Sequence, residues 1–131
     1  MTEQQHLARL DPRIRAKVAA VLTDLRGHGL DPVIAQSWRS VDEQKRLKAA
    51  GRSTVSWSFH CHAMNGVPAA LAADIVDRRL GWGAPETFWQ LLGRSARAHG
   101  LTWGGDWKRF RDVAHVETGS MTLAQARRES G

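Results

Sequence analysis

The sequence has little of several features that mark well-known classes of protein. Its single cysteine, Cys61, excludes an internal disulfide and fits a reducing compartment. No apolar run is long enough to cross a membrane, so we expect no membrane insertion. Glycine-rich loops that cradle phosphates or dinucleotides are also absent. What remains is the composition of a soluble globular protein, with 42% hydrophobic and 24% charged residues.

The length and the net charge narrow the expectation further. A chain of 131 residues predicts one domain with one core, and we expect residues 1–131 to form that domain as a monomer. The net charge of +6 favours contact with polyanions, including anionic wall polymers. The basic residues are spread along the chain, however, and their densest groups are pairs such as Arg78-Arg79. We therefore favour a solvated basic surface over a nucleic-acid site, and we expect no nucleic-acid partner.

Apolar periodicity, capping residues and the positions of glycine and proline divide the chain into helices and strands. The long segment 51–70 has little periodicity and is predicted as loop. Such long loops in small domains are usually functional or disordered, and this one carries His60, which favours function. The predicted helices cover about 12–27, 41–50, 85–99 and 123–129, and the predicted strands cover 32–38, 71–76, 101–103 and 113–116.

Two short stretches concentrate side chains that bind metals. The stretch Ser58-Phe59-His60-Cys61-His62 holds two imidazoles, and Asp74 lies in a mostly apolar strand, where a carboxylate needs a partner. Asp112 lies three residues before His115. Each residue alone has an ordinary structural explanation. For the residues together, a metal site explains the pattern as well as separate structural roles do, since two histidines and an aspartate commonly bind catalytic zinc. The further carboxylate supplies the proton acceptor that metal-assisted hydrolysis needs.

Two other positions invite a functional interpretation. Arg39 lies at the junction between a predicted strand and a predicted helix, a frequent position for functional side chains. A surface arginine without a function is an equally good interpretation. Cys61 lies between two histidines, but adjacent residues on an extended chain point to opposite sides, so neither histidine is well placed to activate it. We therefore treat Cys61 as structural. Ser40 and Glu43 form a capping-box pattern, which explains Glu43 without a catalytic role.

Five motifs occur in order along the chain: Trp38-Arg39-Ser40 with Gln44, Ser58-x-His60, Ala72-Ala73-Asp74-Ile75, Trp103-Gly104-Gly105-Asp106-Trp107 and Phe110-x-Asp112-x-x-His115-x-Glu117. This ordered set resembles a known enzyme family, the zinc D,D-peptidases and L-alanyl-D-glutamate endopeptidases. Its members hydrolyse peptidoglycan peptides, and many are phage endolysins. The resemblance covers roughly residues 30–118 and implies the Hedgehog/DD-peptidase fold, an α+β domain with a small antiparallel sheet and flanking helices.

The resemblance implies that His60, Asp74 and His115 bind zinc. Many members have a short Ser-x-His-x-x-Gly-x-Ala-x-Asp segment, whereas thirteen residues separate His60 from Asp74 in this chain. The longer segment leaves His62 as a rival for the first ligand. We favour His60 because only it has a serine, Ser58, two residues before it, and that serine would support the ligand by a hydrogen bond.

The same resemblance assigns roles around the metal. It makes Asp112 the general base and Arg39 the group that stabilises the developing oxyanion, and it places Glu117 just outside the ligand set. An aspartate three residues before the last ligand, rather than a glutamate, resembles the endopeptidase branch more than the dipeptidase branch. Since positions three apart on a strand face opposite sides, Asp112 should lie in a turn or bulge before the strand that carries His115.

The resemblance therefore implies zinc-assisted hydrolysis of an amide bond in the stem peptide of bacterial peptidoglycan, most simply the L-alanyl-D-glutamate bond. A D-alanyl-D-alanine carboxypeptidase or dipeptidase is the enzymatic alternative, and a polyanion-binding module with a structural zinc is the non-enzymatic one. The first ten residues have no apolar signal core, so we expect synthesis in the cytoplasm and action on the wall after release. A phage lysin released through holin pores is the favoured setting, ahead of an antibacterial effector exported by a secretion system.

Overall fold

A computed structural model describes all of residues 1–131, and it has the predicted α+β architecture. Two short 3-10 turns, Phe59–Cys61 and Gly104–Asp106, accompany the regular elements. The helices are α1 (Glu3–Ala8), α2 (Pro12–Gly27), α3 (Val41–Ala49), α4 (Glu86–Ala98) and α5 (Leu123–Glu129). The strands are β1 (Pro32–Gln36), β2 (Ala63–Met64), β3 (Val67–Pro68), β4 (Ala72–Asp77), β5 (Leu101–Trp103) and β6 (His115–Thr118).

The main sheet has the strand order β1-β4-β6-β5, and all of its neighbouring strands are antiparallel. The inner strands β4 and β6 are paired so that Asp74 lies directly opposite His115. Because opposite side chains in an antiparallel pair lie on the same face, this register brings a carboxylate and an imidazole together. The outer strand β1 places Gln36 on the other side of Asp74, next to an irregularity between Ile34 and Gln36.

Helix α2 shows how the sequence builds the core that supports this sheet. Asp11 caps the helix by accepting a hydrogen bond from the Arg13 backbone N–H at 2.8 Å, and Pro12 occupies the first turn. Helix α2 packs against β1 and α4, and α4 packs against β5. Burial of each large aliphatic side chain contributes about 1.5–3 kcal/mol. The buried face of α2 consists of apolar residues at helical spacing: Ile14, Val18, Val21, Leu22 and Leu25.

The segment predicted as a structureless loop contains more structure than its sequence suggested. It includes the 3-10 turn Phe59–Cys61 and a small hairpin formed by β2 and β3. The hairpin turns at Asn65 and Gly66, which have φ values of 54° and 75°. Asn-Gly suits such a turn because both residues tolerate the left-handed conformation. Two-residue strands are too short to show alternation, so periodicity could not predict them.

Two further predictions need correction, and one helix had no prediction. The strand predicted over 113–116 begins only at His115 and ends at Thr118, because residues 113 and 114 form a turn. The six-residue helix α1 was not predicted; it starts with a capping box at Thr2. At α3, Ser40 accepts from the Glu43 backbone N–H, but the Glu43 side chain pairs with Arg46 instead of completing the capping box.

None of the five helices has the length and hydropathy of a membrane span.

Candidate metal centre

The side chains of His60, Asp74 and His115 converge at one end of the two inner strands. Their potential ligand atoms all lie within 4.8 Å of one another. His60 comes from the 3-10 turn, Asp74 from the middle of β4, and His115 from the first position of β6. The Asp74 Oδ1 atom is 3.4 Å from His60 Nε2 and 3.3 Å from His115 Nδ1. The set predicted from the resemblance is therefore assembled in space.

The donor set and its spacing fit a zinc ion. Zinc bonds of about 2.0–2.1 Å to imidazole nitrogen and carboxylate oxygen, arranged tetrahedrally, place neighbouring donors roughly 3.3–3.4 Å apart. The two distances from Asp74 Oδ1, 3.4 and 3.3 Å, match that separation. Three protein donors leave a fourth tetrahedral position for a further ligand, as in catalytic rather than closed structural sites.

His60 is oriented by two contacts outside the ligand set. Its Nδ1–H donates to the Ser37 carbonyl oxygen at 2.7 Å, so Nε2 is the ring nitrogen that faces Asp74. Its backbone N–H donates to Ser58 Oγ at 3.2 Å, so Ser58 caps the 3-10 turn that carries the histidine. Ser58 thus has the supporting position predicted for it. Ser37 had no signal in the sequence, because its contribution is a backbone carbonyl.

His115 is fixed by Glu117 and Trp107. The Nε2 atom of His115 lies 2.7 Å from Glu117 Oε1, as expected for a carboxylate that orients a ligand histidine. The Trp107 ring lies against the imidazole, with 5.3 Å between the ring centroids. Glu117 therefore lies just outside the ligand set, where the resemblance placed it. Trp107 was part of the recognised motif, but its contact with His115 was not predicted.

The charged groups at the centre shift one another's pKa values strongly. Burial disfavours the charged form of His115, but hydrogen bonds to Asp74 and Glu117 outweigh burial and raise the pKa of His115 to about 10. Burial would raise the pKa of Asp74, but the charge of His60 and the hydrogen bonds from both histidines hold it well below its ordinary value. Asp74 is therefore ionised in the pH range in which metal would bind. A cation at this position would replace the proton that His115 carries.

Asp112 lies in the turn that precedes β6, as the spacing argument predicted. Its carbonyl oxygen accepts from the His115 backbone N–H at 3.2 Å, and its own N–H donates to the Gly104 carbonyl at 3.1 Å. A Cβ atom on Gly104 would collide with the Asp112 carbonyl oxygen, so this close approach requires glycine. Burial, together with the negative charge of Asp74, raises the pKa of the Asp112 carboxyl. A raised pKa is typical of a carboxylate that exchanges protons.

Arg39 is held at the centre through its backbone and its side chain. Its N–H donates to the His60 carbonyl at 2.9 Å, and its guanidinium donates to Gln44 Oε1 at 2.8 Å. Gln44 is fully buried and also accepts from Ser58 Oγ at 3.2 Å, while its amide donates to Ser53 Oγ and to the Val55 carbonyl, both at 2.9 Å. One side chain thereby connects Arg39 with the segment that carries His60. The recognised motif contained Gln44, but its hydrogen-bonding role became visible only in the structure.

His62, the rival first ligand, points away from the centre. It is fully buried, with its Nδ1 atom 2.6 Å from the Ala69 carbonyl and its Nε2 atom 2.8 Å from Glu129 Oε1. Its ring nitrogens face these two acceptors and do not converge with His60, Asp74 and His115, so His62 takes no part in the donor set. His62 instead ties α5 to the segment between the first two donors. Cys61 is buried beside it, with weak sulfur contacts to Ser58 and the Ser40 carbonyl.

Comparison with protein families connects this geometry to known enzymes. A peptidase M15 family model, described as D-alanyl-D-alanine carboxypeptidase, matches residues 25–118. The chain is 27% identical to the peptidoglycan L-alanyl-D-glutamate endopeptidase CwlK of Bacillus subtilis, in an alignment that covers 82% of this chain and 72% of that protein. The matched range contains all of the proposed donors and both of the proposed catalytic residues.

Solved structures share the fold at lower sequence identity. The L-Ala D-Glu endopeptidase ChiX of Serratia marcescens has a TM-score of 0.66 at 22% identity, with coverage of 88% of this chain and 85% of that chain. The vancomycin-resistance D,D-pentapeptidase VanY, solved with Zn(II), has a TM-score of 0.55 at 18% identity, with coverage of 91% and 76%. These similarities confirm the predicted Hedgehog/DD-peptidase fold.

Proposed function

This chain belongs to the peptidase family described as D-alanyl-D-alanine carboxypeptidase, and from that membership we propose that it is a zinc-dependent peptidoglycan endopeptidase that cuts the L-alanyl-D-glutamate bond. The observation that carries the proposal is the convergence of His60, Asp74 and His115 within 4.8 Å, together with Asp112, whose pKa is raised by burial and by the charge of Asp74. A structural zinc site would have four protein ligands and would need no additional acid.

In the proposed mechanism, each residue has a task that follows from its surroundings. His60, Asp74 and His115 would hold zinc, which supplies Lewis acidity for the scissile carbonyl and the attacking water. Asp112 accepts the proton of that water and returns it to the leaving amine. The raised pKa of Asp112 suits both steps, because it brings the carboxylate closer to the pH at which it must gain and lose a proton.

Arg39 stabilises the negative charge that develops on the carbonyl oxygen. Gln44 holds one Nη1 donor of its guanidinium, which fixes the orientation of the group and leaves other N–H donors for the substrate. Donors fixed before the reaction need no rearrangement when charge develops, and one such donor contributes about 2.7–4 kcal/mol. Glu117 and Ser37 keep the imidazole donors oriented.

The choice of bond is supported by the relatives. CwlK and ChiX are both named as endopeptidases of the L-alanyl-D-glutamate bond, and CwlK is 27% identical to this chain. The description of the matching family model favours a second candidate, a D-alanyl-D-alanine carboxypeptidase. The two activities differ in where the stem peptide is cut: the first releases the part of the stem that begins with D-glutamate, and the second releases a terminal D-alanine.

Mass spectrometry of products distinguishes these candidates. Zinc-loaded protein is incubated with a pentapeptide stem ending in D-alanyl-D-alanine, and the fragments are identified. Cleavage after L-alanine supports the proposal, and release of D-alanine alone replaces it with the carboxypeptidase. If zinc-loaded protein cuts neither bond but binds anionic wall polymer, the module with a structural zinc becomes the better explanation.

For the biological setting we propose a phage or prophage endolysin that reaches the wall after release through a holin-type pore. The resemblance to a family that includes many endolysins supports this proposal. Co-expression in a bacterial host tests it: lysis should require both this protein and the pore-forming protein. Lysis by this protein without the pore would contradict the setting, as would a requirement for a contact-dependent secretion system.

A further inference from the structure

The segment Trp107–Arg111 borders the metal centre and carries cations that no acid neutralises. Trp107 packs against the His115 ring, and Asp112 directly follows the segment. Lys108 and Arg109 are exposed and form no salt bridge. Lys108 and Arg109 directly follow Trp107, whose ring contacts the proposed donor His115. Since consecutive Cα atoms are about 3.8 Å apart, both residues lie close to the metal centre.

The arginines that flank these two residues, Arg97 and Arg111, already have partners within the chain. Arg111 donates to the Gly105 carbonyl at 2.8 Å and lies 3.7 Å from Glu86. Arg97 forms a 2.9 Å ion pair with Asp106. Lys108 and Arg109 have no such acidic partner, so their charges are available to an anion from outside the chain.

Backbone hydrogen bonds hold both ends of this segment, and they fix the positions from which the Lys108 and Arg109 side chains extend. The backbone N–H groups of Trp107 and Asp112 both donate to the Gly104 carbonyl, at 3.3 and 3.1 Å. Between these anchors, Phe110 has a φ of 53° and is 73% exposed. A phenylalanine with positive φ is uncommon, and strained residues of this kind concentrate at ligand-binding sites.

We propose that Lys108 and Arg109 select substrates with a free carboxylate on the glutamyl residue at the scissile bond. This inference rests on the proposed function. Glutamate joined to alanine through its amine, and to the next residue through one carboxyl, keeps its second carboxyl free. When the chain continues through the side-chain carboxyl, the free one lies on the carbon that carries the scissile nitrogen. An amide there has nearly the same shape but no charge, so the two cations distinguish the acid from the amide.

Two matched peptides test the selection. One contains L-alanine joined to D-glutamate with a free α-carboxylate, and the other contains the corresponding α-amide. Values of kcat and KM are measured for zinc-loaded wild type and for the double variant Lys108→Gln with Arg109→Gln. The matched control is Arg79→Gln, which removes an exposed cation in the turn beyond the other end of β4.

The expected result is a wild-type preference for the acid of about tenfold in kcat/KM, which falls to less than about threefold in the double variant. The change should lie mainly in KM for the acid, with kcat for the amide and zinc content unchanged. The control should keep the preference, and added salt should weaken it in wild type, because exposed charges are screened.

Three outcomes would overturn the inference in distinguishable ways. Equal hydrolysis of both peptides by wild type would show that no selection exists. An unchanged preference in the double variant would show that other residues select. A loss of preference in Arg79→Gln as well would assign the effect to net charge. Cleavage of neither peptide by zinc-loaded wild type would instead refute the proposed function itself.

Discussion

His60 and His62 are two residues apart and both are buried, yet their surroundings give them opposite roles. His60 donates one nitrogen to the Ser37 carbonyl and keeps the other for Asp74. His62 places both nitrogens on oxygen acceptors, the Ala69 carbonyl and the Glu129 carboxylate. Burial beside a carboxylate therefore does not identify a metal ligand. The useful criterion is convergence, because His60 shares a compact group of potential ligand atoms with Asp74 and His115, whereas His62 belongs to no such group.

The carboxylates of the two regions differ in the same way. Arg13 binds both acids around His62, Asp11 and Glu129. At the metal centre, no arginine or lysine binds the Asp112 carboxylate, and burial with the nearby Asp74 charge raises its pKa. In the His62 cluster, which consists of His62, Asp11, Arg13 and Glu129, both acids are thus ion-paired in structural contacts. The metal centre instead combines the donor set with Asp112, an acid that forms no ion pair with arginine or lysine, and this combination is suited to chemistry.

Exchanging each histidine for alanine tests this contrast with the largest expected effect. His60→Ala should lose bound zinc and all measurable turnover, because one of three donors is gone. His62→Ala should keep zinc and turnover per folded molecule but lose about 2–4 kcal/mol of stability, because it empties a buried site and leaves its acceptors unpaired. Elemental analysis, product mass spectrometry and denaturant unfolding measure the three properties. Zinc loss in the His62 variant, with zinc retained in the His60 variant, would reverse the assignment.

The second test addresses the unpaired acid. Asp112→Asn preserves size but cannot accept a proton, so kcat should fall by about 10²–10⁴ while zinc content stays the same. The melting temperature should stay near wild type or rise, because the folded protein disfavours the ionised carboxyl that asparagine replaces. Zinc content, melting and peptidoglycan digestion are measured on one preparation. Undiminished digestion would refute the assigned base, and loss of zinc would make Asp112 a ligand.

A smaller effect on kcat/KM should distinguish Arg39 at the metal centre from Arg13 in the His62 cluster. Arg39→Ala should lower kcat/KM at least about tenfold, or ~1.4 kcal/mol, with fold and zinc retained. Arg13→Ala, its counterpart in the His62 cluster, should lower the unfolding free energy and leave kcat/KM unchanged. Steady-state kinetics and urea unfolding on both variants give the comparison. Equal kinetic effects of the two substitutions would remove the oxyanion role from Arg39.

The smallest expected effect is the dependence of stability on acid at the His62 cluster. Hydrogen bonding to Arg13, with a smaller contribution from His62, lowers the pKa of Glu129. Burial opposes ionisation of Asp11, but hydrogen bonds from Arg13 outweigh it and lower that pKa as well. Carboxyls with lowered folded pKa values stabilise the protein above their ordinary pKa, and this contribution disappears as the pH falls through the folded values.

Unfolding free energies measured from pH 6 down to pH 3 check this expectation for metal-free protein. Stability should fall with acid, and Glu129→Gln should reduce the fall by less than about 1 kcal/mol, since the carboxylate is partly exposed. Asp74 adds a loss of the same sign, so the difference between wild type and the variant is the informative quantity. An identical acid dependence in both proteins would exclude Glu129 from the cluster's stability.

Much of the fold could be predicted because it depends on local patterns. Helices α2 and α5 have the predicted bounds, residues 12–27 and 123–129, and each begins directly after a residue that caps it. The β4 strand was recognisable as an apolar run with one carboxylate. The β2–β3 hairpin and α1 were not predicted, since each is too short for a periodic signal and α1 lies outside the recognised motifs.

The sequence by itself determined the inventory of the site and the order of its parts. Residue types, motif order and the turn required before His115 are all encoded within short stretches, where spacing constrains geometry. Only the tertiary structure decided which histidine faces Asp74 and which faces Glu129. It also decided that Gln44 connects Arg39 with Ser58. Those choices depend on strand register and on contacts between residues far apart in the chain, and neither leaves a periodic trace in the sequence.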